Sequence, residues 1–158
     1  MRVVIVGCGR VGATMARALE NAGHDVTIID LVTRAFDRLP AAFRGNAVRG
    51  DGTDEDILRR AGAEGADLFL ALTEGDNRNI MATQMALEAL GIERAYAKVN
   101  DPLRATAYAE LGIGTICRTT MIADAILEAL GESPSGTPAI RDAASHRHAA
   151  VASAVQEA

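Results

Sequence analysis

Six times along the chain a short apolar run gives way to a longer stretch of helical period, and this alternation restricts the fold more than any other feature. The runs are Arg2 to Val6, Asp25 to Asp30, Asn46 to Arg49, Asp67 to Leu72, Ala95 to Val99 and Thr115 to Cys117. Arg2 to Val6 and Asp67 to Leu72 are nearly continuous in apolar residues, the pattern of strands buried on both faces. Between them, Val11, Met15, Leu19 and Ala22 recur at helical spacing, and Gly23 stops that helix. A short segment from Arg34 to Leu39 ends at Pro40. Thr53, with Asp56 three residues on, reads as a capping box opening a helix from Asp54 to Arg60. Asn77 to Leu90 is a longer helix closed by Gly91. There Asp76 and Asn77 are candidate N-caps, and Ile80, Gln84 and Leu87 adjoin Met81 and Met85. Asp101-Pro102 begins another, with Asp as cap and Pro in the first turn. Thr120 to Leu130 is the last.

Strands joined through helices pair in parallel with right-handed crossovers. The expected fold is therefore α/β: a Rossmann-type, doubly wound, parallel sheet of six strands in a single domain over residues 1–131. Beyond Gly131 the sequence turns rich in Ala, Ser and Pro, and residues 132–158 read as a low-complexity tail, partly helical from Ala139 onward.

The turn after the first strand is Gly7-Cys8-Gly9-Arg10-Val11-Gly12. It fits G-x-G-x-x-G in the required place, after a buried strand and at the start of a helix. Gly7 permits the tight turn, Gly9 lets backbone approach a pyrophosphate, and Gly12 lets helix and strand pack closely. The helix N-terminus offers N–H groups and a positive dipole end to phosphate. Arg10 is placed to fold over the phosphates as a charged clamp. Cys8 reads as a small residue in a crowded turn, with thiol activation by the helix end as the other reading. Asp30 ends the second strand 18 residues past Gly12, where an acid holds ribose hydroxyls and repels a 2′-phosphate. Arg34 is near enough to reopen NADP, but Asp30 outweighs it.

Ligands of such sheets lie at the carboxyl ends of the strands, which nominates further residues. Asp51, Gly52 and Thr53 follow the third strand and border the place of an adenine, with helix capping an equal reading for Thr53. Leu72 and Thr73 follow the fourth, along the ribose and phosphate path. Lys98, the one lysine among 16 basic residues, ends the fifth and faces a phosphate or substrate, or else is an ordinary surface ammonium.

Composition removes other classes. Net charge is −5 and the pI about 5.2, against whole-protein attraction to nucleic acid. Aromatic residues are 3%, too few for a stacking platform. Two cysteines make neither a metal site nor a disulfide framework. No apolar run approaches the length of a membrane span, so direct insertion is not expected. His24 falls at the amino end of a strand, on the wrong edge for catalysis. Neither a Ser-His-Asp order nor a proton donor for hydride chemistry is legible. A small NAD-dependent oxidoreductase completed by another subunit is the alternative function.

The opening VVIVGCGRVGATMARALENAGHDVTIID, followed by GDGTDEDILRRAGAEGADLFLALTEGDNRNIMATQMALEALGIERAYAKVNDP, resembles the TrkA-N, or RCK N-terminal, domain family from about Met1 to Leu130. The resemblance implies a cytoplasmic regulator, peripheral to the membrane through a membrane-embedded potassium channel or transporter subunit. It implies NAD(H) as ligand, with ATP, ADP or AMP as the alternative, and a homodimer or larger ring. Gly7, Gly9, Arg10, Val11 and Gly12 would hold phosphates and Asp30 the ribose. Asp51, Gly52 and Thr53 would border adenine, while Thr73 and Lys98 reach toward phosphates or nicotinamide. The helix Thr120 to Leu130 resembles the family's crossover helix, whose Ile122, Ile126 and Leu130 would meet a partner subunit. Where some members carry an acid after the sixth strand, this chain has Arg118-Thr119-Thr120, which weakens a metal-assisted ATP switch. The family's usual C-terminal ligand-binding domain is missing from the resemblance, leaving a minimal subunit or half of a two-gene regulator.

Overall fold

A computed structural model describes residues 1–142. Seven strands form one sheet in the order β3-β2-β1-β4-β5-β6-β7. They are β1 (Arg2–Val6), β2 (Asp25–Asp30), β3 (Asn46–Arg49), β4 (Leu68–Ala71), β5 (Ala95–Val99), β6 (Gly114–Cys117) and β7 (Ile140–Arg141). β1 through β6 pair in parallel, as the βαβ pattern requires. The helices are α1 (Arg10–Asn21), α2 (Glu55–Arg60), α3 (Asp76–Glu88), α4 (Pro102–Glu110) and α5 (Arg118–Ala129), with a 3₁₀ turn over Thr33–Arg38.

Helices cover both faces, so each central strand contributes to two cores. Ala95, Ala97 and Val99 of β5 pack with Leu58 of α2, with Ala82, Ala86 and Leu87 of α3, and with Ala105 of α4. On the other face Val3, Ile5, Val26 and Ile28 pack with Ala13 and Ala16 of α1 and with Ala35 of the 3₁₀ turn. Small residues on the helices let them lie close on the sheet, which suits a chain poor in aromatics.

The structure revises five sequence expectations. The sheet has seven strands rather than six, because Ile140–Arg141 pairs antiparallel with β6. That strand comes from the segment read as a tail, and at Ile140–Arg141 it is extended where a helix was expected. Residues 143–158, where the rest of that helix was expected, lie outside the described residues. Asp54, not Thr53, caps α2, accepting from the N–H groups of Asp56 and Ile57. Gly75 occupies the N-cap of α3, because Asp76 is turned to another task. In α1 the buried positions are Gly12, Ala13 and Ala16, with Val11 exposed. Met15 and Leu19 pack against the core there, partly buried, as the period predicts, while Val11 and Ala22 are exposed because the glycine loop brings the helix onto the sheet along its small residues.

α5 follows β6 directly, and of its residues only Thr120 is buried. Ile122, Ile126 and Leu130 stand 54%, 56% and 71% exposed. At spacing i, i+4, i+8 they form one apolar stripe. No helix among the described residues is long and apolar enough to cross a membrane.

Candidate functional site

β1 and β4 are neighbours in the sheet but successive crossovers leave in opposite directions from them, which opens a crevice at their carboxyl ends. The crevice is a cleft of about 680 Å³. Its floor is the end of β1: Gly7 N–H donates to Ile29 O (2.7 Å), and Leu72 N–H donates to Val6 O (2.7 Å).

The three loop glycines answer to different demands. Gly7 has φ +102°, and a Cβ there would stand 2.9 Å from Thr73 N; only glycine suits both conditions. A Cβ on Gly12 would stand 1.9 Å from Gly7 O, so the close meeting of helix and loop excludes any side chain. Gly9 is otherwise. Its backbone is extended, φ −77° and ψ −170°, and a Cβ would meet nothing within 4 Å. The fold itself does not require glycine at 9, and the open space it faces is the cleft it lines. No side chain caps α1, so the first-turn N–H groups lack the acceptor an N-cap supplies.

Asp30 joins the loop to the turn after β2. Cys8 N–H donates to its Oδ2 (2.7 Å), and Val32 N–H to its Oδ1 (2.9 Å). Each oxygen keeps a lone pair for a further donor. Cys8 is buried, its thiol donating to Ala35 O (3.3 Å). Burial, with Asp30 nearby, pushes that thiol up to about 11, which corrects any reading of it as an activated nucleophile. Across the cleft, Asp51 Oδ1 accepts from Thr53 N–H (3.0 Å) and Oγ1–H (2.8 Å). These bonds, the backbone one foremost, hold the Asp51 carboxyl below its ordinary value, with help from Arg78. Gly52 leaves room for Val6, since a Cβ there would stand 2.2 Å from Val6 Cγ1.

Of the residues nominated from sequence, Gly7, Gly9, Asp30, Asp51, Gly52, Leu72 and Thr73 line this cleft together. Arg10, Val11 and Gly12 form the first turn of α1 outside the lining, Gly12 buried behind the loop. Thr53 stands behind Asp51 as its donor. Lys98 is not on the lining either. It is buried at the end of β5 rather than being a surface ammonium. Burial first, then the Arg118 guanidinium, lowers its ammonium below the ordinary lysine value, while Asp76 and Glu74 oppose.

Sequence reasoning did not nominate Asp37, Arg38, Glu74 and Arg78, which also line the cleft. Arg34 and Arg38, four apart just after the strand-ending acid, were a usable signal. It also passed over Asn79, which is fully buried. Its Oδ1 accepts from Thr73 N–H (2.8 Å) and Oγ1–H (2.6 Å), and its Nδ2 donates to Thr73 O (3.0 Å) and Lys98 O (2.8 Å). One amide thus ties the ends of β4 and β5.

A glycine loop between a buried strand and a helix, an acid at the next strand's end and a crevice at the switch point define a Rossmann-type domain. The family model of the TrkA-N domain matches residues 3–119, and the chain belongs to that family. Over 143 residues it is 46% identical to the Trk system potassium uptake protein TrkA of Streptomyces coelicolor, spanning 90% of this chain and 63% of that protein. A TrkA homolog of Pyrococcus abyssi is 33% identical over 111 residues, 70% of this chain and 49% of that one. The chain therefore spans between about half and about 63% of the length of these curated relatives. Among solved structures, the TrkA-N domain of the Escherichia coli inner membrane protein ybaL superposes with TM-score 0.72 at 22% identity, over 82% of this chain and 96% of that one. The Shewanella denitrificans Kef CTD in its AMP-bound form superposes with TM-score 0.66 at 21% identity, over 99% and 93%. At these identities the two likenesses bear on the fold.

Proposed function

We propose that this chain is the nucleotide-binding regulatory module of a Trk-type potassium uptake system. The ligand is NAD(H), with ATP, ADP or AMP as the alternative, seated in the cleft between the glycine loop and Asp30. The observation that carries this reading is Gly9. Gly7 and Gly12 are explained by the protein's own packing, whereas the space beside Gly9 is left open at an uncapped helix end. A diphosphate there would accept from the first-turn N–H groups of α1. Asp30, already fixed by two backbone donors, would accept from ribose hydroxyls, and Asp51 and Gly52 would border the adenine. Arg10, exposed on the first turn of α1, and Lys98, buried at the end of β5, would reach toward the phosphates from outside the lining.

The partner follows from the names of the relatives, which belong to a potassium uptake system. The chain works at the inner face of the cell membrane through a membrane-embedded potassium channel or transporter subunit. The exposed stripe Ile122, Ile126 and Leu130 of α5 supports a homodimer or ring, since isolated helices seldom leave such a face to water. A ligand that binds two arrangements of that assembly unequally shifts their populations, with no chemical turnover required.

Calorimetric titration with NAD, NADH, NADPH, ATP, ADP and AMP tests the proposal. Binding of any of these that is lost in Gly9→Asp and weakened in Asp30→Ala supports it. Binding indifferent to both substitutions places the ligand elsewhere, and hydride transfer to a carbonyl substrate would replace the regulatory reading with an oxidoreductase.

A further inference from the structure

The mouth of the cleft beside Asp30 carries two guanidiniums that a bare ribose site does not need. Arg34 and Arg38 of the 3₁₀ turn both line it. Among the described residues Arg34 makes no hydrogen bond or ion pair. Arg38 makes one hydrogen bond, from Nη1 to Ala35 O at 3.3 Å. Two guanidiniums carry about ten N–H donors between them, so nearly all remain available for a ligand.

Four acids line the cleft with them, and two of these, Asp30 and Asp51, are engaged by donors of the protein itself. Asp30 accepts from Cys8 N–H and Val32 N–H, one bond to each oxygen, so its charge is shared with the loop and turn it anchors. Asp51 lies across the cleft with both Thr53 donors and Arg78 beside it. Glu74 is beyond the end of β4, and Asp37 is exposed between the two arginines in the chain. In dinucleotide-binding sheets an acid here holds the ribose 2′-hydroxyl, or an arginine here accommodates a 2′-phosphate. This chain presents both. Guanidinium forks match the oxygens of a phosphate monoester, and their charge offsets the repulsion from Asp30.

We propose that Arg34 and Arg38 form a phosphate subsite at the adenosine end of the cleft, so that the site takes 2′-phosphorylated adenosine nucleotides as well as unphosphorylated ones. The inference rests on the nucleotide-binding reading above and replaces the sequence expectation that Asp30 outweighs Arg34 and disfavours NADP.

The test is calorimetric titration of the full chain with NADH, NADPH, 5′-AMP and 2′,5′-ADP, in the unaltered protein and in the Arg34→Ala/Arg38→Ala double variant. Both arginines are exposed, so the variant is expected to fold, and circular dichroism checks it. In the unaltered protein NADPH is expected to bind within about fivefold of NADH. The double variant is expected to lose about tenfold or more for NADPH and 2′,5′-ADP, about 1.4 kcal/mol, while NADH and 5′-AMP change by less than about threefold. Arg34→Lys/Arg38→Lys should restore part of the loss as point charges without the fork. NADPH weaker than NADH by more than about fivefold in the unaltered protein overturns the subsite. So does a double variant that weakens phosphorylated and unphosphorylated nucleotides alike, which would assign the arginines to balancing Asp30 and Asp37. If none of the four binds, the nucleotide reading itself falls and takes the subsite with it.

Discussion

The carboxyl edge of the sheet is built in two manners. At the ends of β1 and β2 the protein stops short of satisfying itself: α1 has no side-chain cap, Gly9 faces open space, and Arg34 has no partner among the described residues. At the ends of β4 and β5 side chains cross-link the strands, although α3 too has no side-chain cap and Asn100 Oδ1 is buried without a partner among the described residues. Asn79 spends its whole amide on Thr73 and Lys98. Asp76 Oδ1 accepts from Asn100 N–H (3.0 Å) and Nδ2 (2.6 Å). The two halves share Thr73, which lines the cleft and is held by Asn79. A crevice can hold its shape without ligand only if one wall is rigid. The knot at β4 and β5 supplies that wall, and the capacity left over at β1 and β2 supplies the affinity.

Breaking the closed half should cost stability most. Asn79→Leu keeps side-chain volume but leaves Thr73 N–H, Thr73 O and Lys98 O without partners. Each buried orphan costs about 1–3 kcal/mol, so a loss of about 3 kcal/mol or more is expected, read as a lowered urea midpoint. A loss below about 1 kcal/mol would show that the amide is dispensable. Breaking the open half should do the reverse. Gly9→Asp places a charge where a diphosphate would lie, and nothing within 4 Å opposes the new Cβ. Stability should change by less than about 0.5 kcal/mol, while nucleotide affinity falls about tenfold or more. Equal damage to both would make Gly9 a structural glycine like Gly12.

Lys98 is the exception that sharpens the comparison, because it belongs to the closed half yet makes no hydrogen bond or ion pair through its ammonium among the described residues. Its side chain is largely buried, and partial desolvation of a cation is a cost to the free protein. Lys98→Met is therefore expected to raise stability, by up to about 1 kcal/mol at pH 7, and to weaken binding of a phosphate-bearing nucleotide. The folded value lies below the ordinary 10.5. Stability of the unaltered protein should thus rise as pH climbs through that lowered value toward 10.5, and the advantage of Lys98→Met should shrink over the same window. Urea titrations of both proteins at pH 7 and pH 10 read this out, and a Met variant less stable than the parent would give Lys98 a structural role.

The same contrast explains what could be read from sequence. The parallel strands and the glycine loop were legible because they are local: a β-branched run, a G-x-G-x-x-G and an acid each sit in one stretch of chain. Asn79 was not, since it lies in a helix whose hydrophobic period includes it by position and says nothing of carbonyls brought to it from β4 and β5. The seventh strand was hidden for a similar reason. Ile140–Arg141 has no strand pattern of its own, and its extended form comes from pairing with the edge of β6. Arg34 and Arg38 were visible as residues, but whether they were free or paired is a fact of three-dimensional charge. Thr53 shows how a local rule can choose the wrong residue, since Asp54 is an equally good cap one position later and Thr53 is drawn to Asp51.

That last pairing carries the smallest effect and a defined pH dependence. Thr53→Val keeps the backbone N–H bond to Asp51, the larger cause of its lowered carboxyl, and removes only the hydroxyl donor. The group is part-exposed, so the expected loss at pH 7 is under about 1 kcal/mol. A carboxyl depressed from 3.8 contributes stability that is fully present above that value and is lost as pH falls through the lower folded value. The difference between Thr53→Val and the parent should therefore be constant from neutral pH down to about pH 5 and narrow below about 3.8. Thermal or urea unfolding of both proteins at pH 7 and pH 3 measures it. A gap that stays the same width at pH 3 would mean the hydroxyl acts through helix geometry and not through the charge on Asp51.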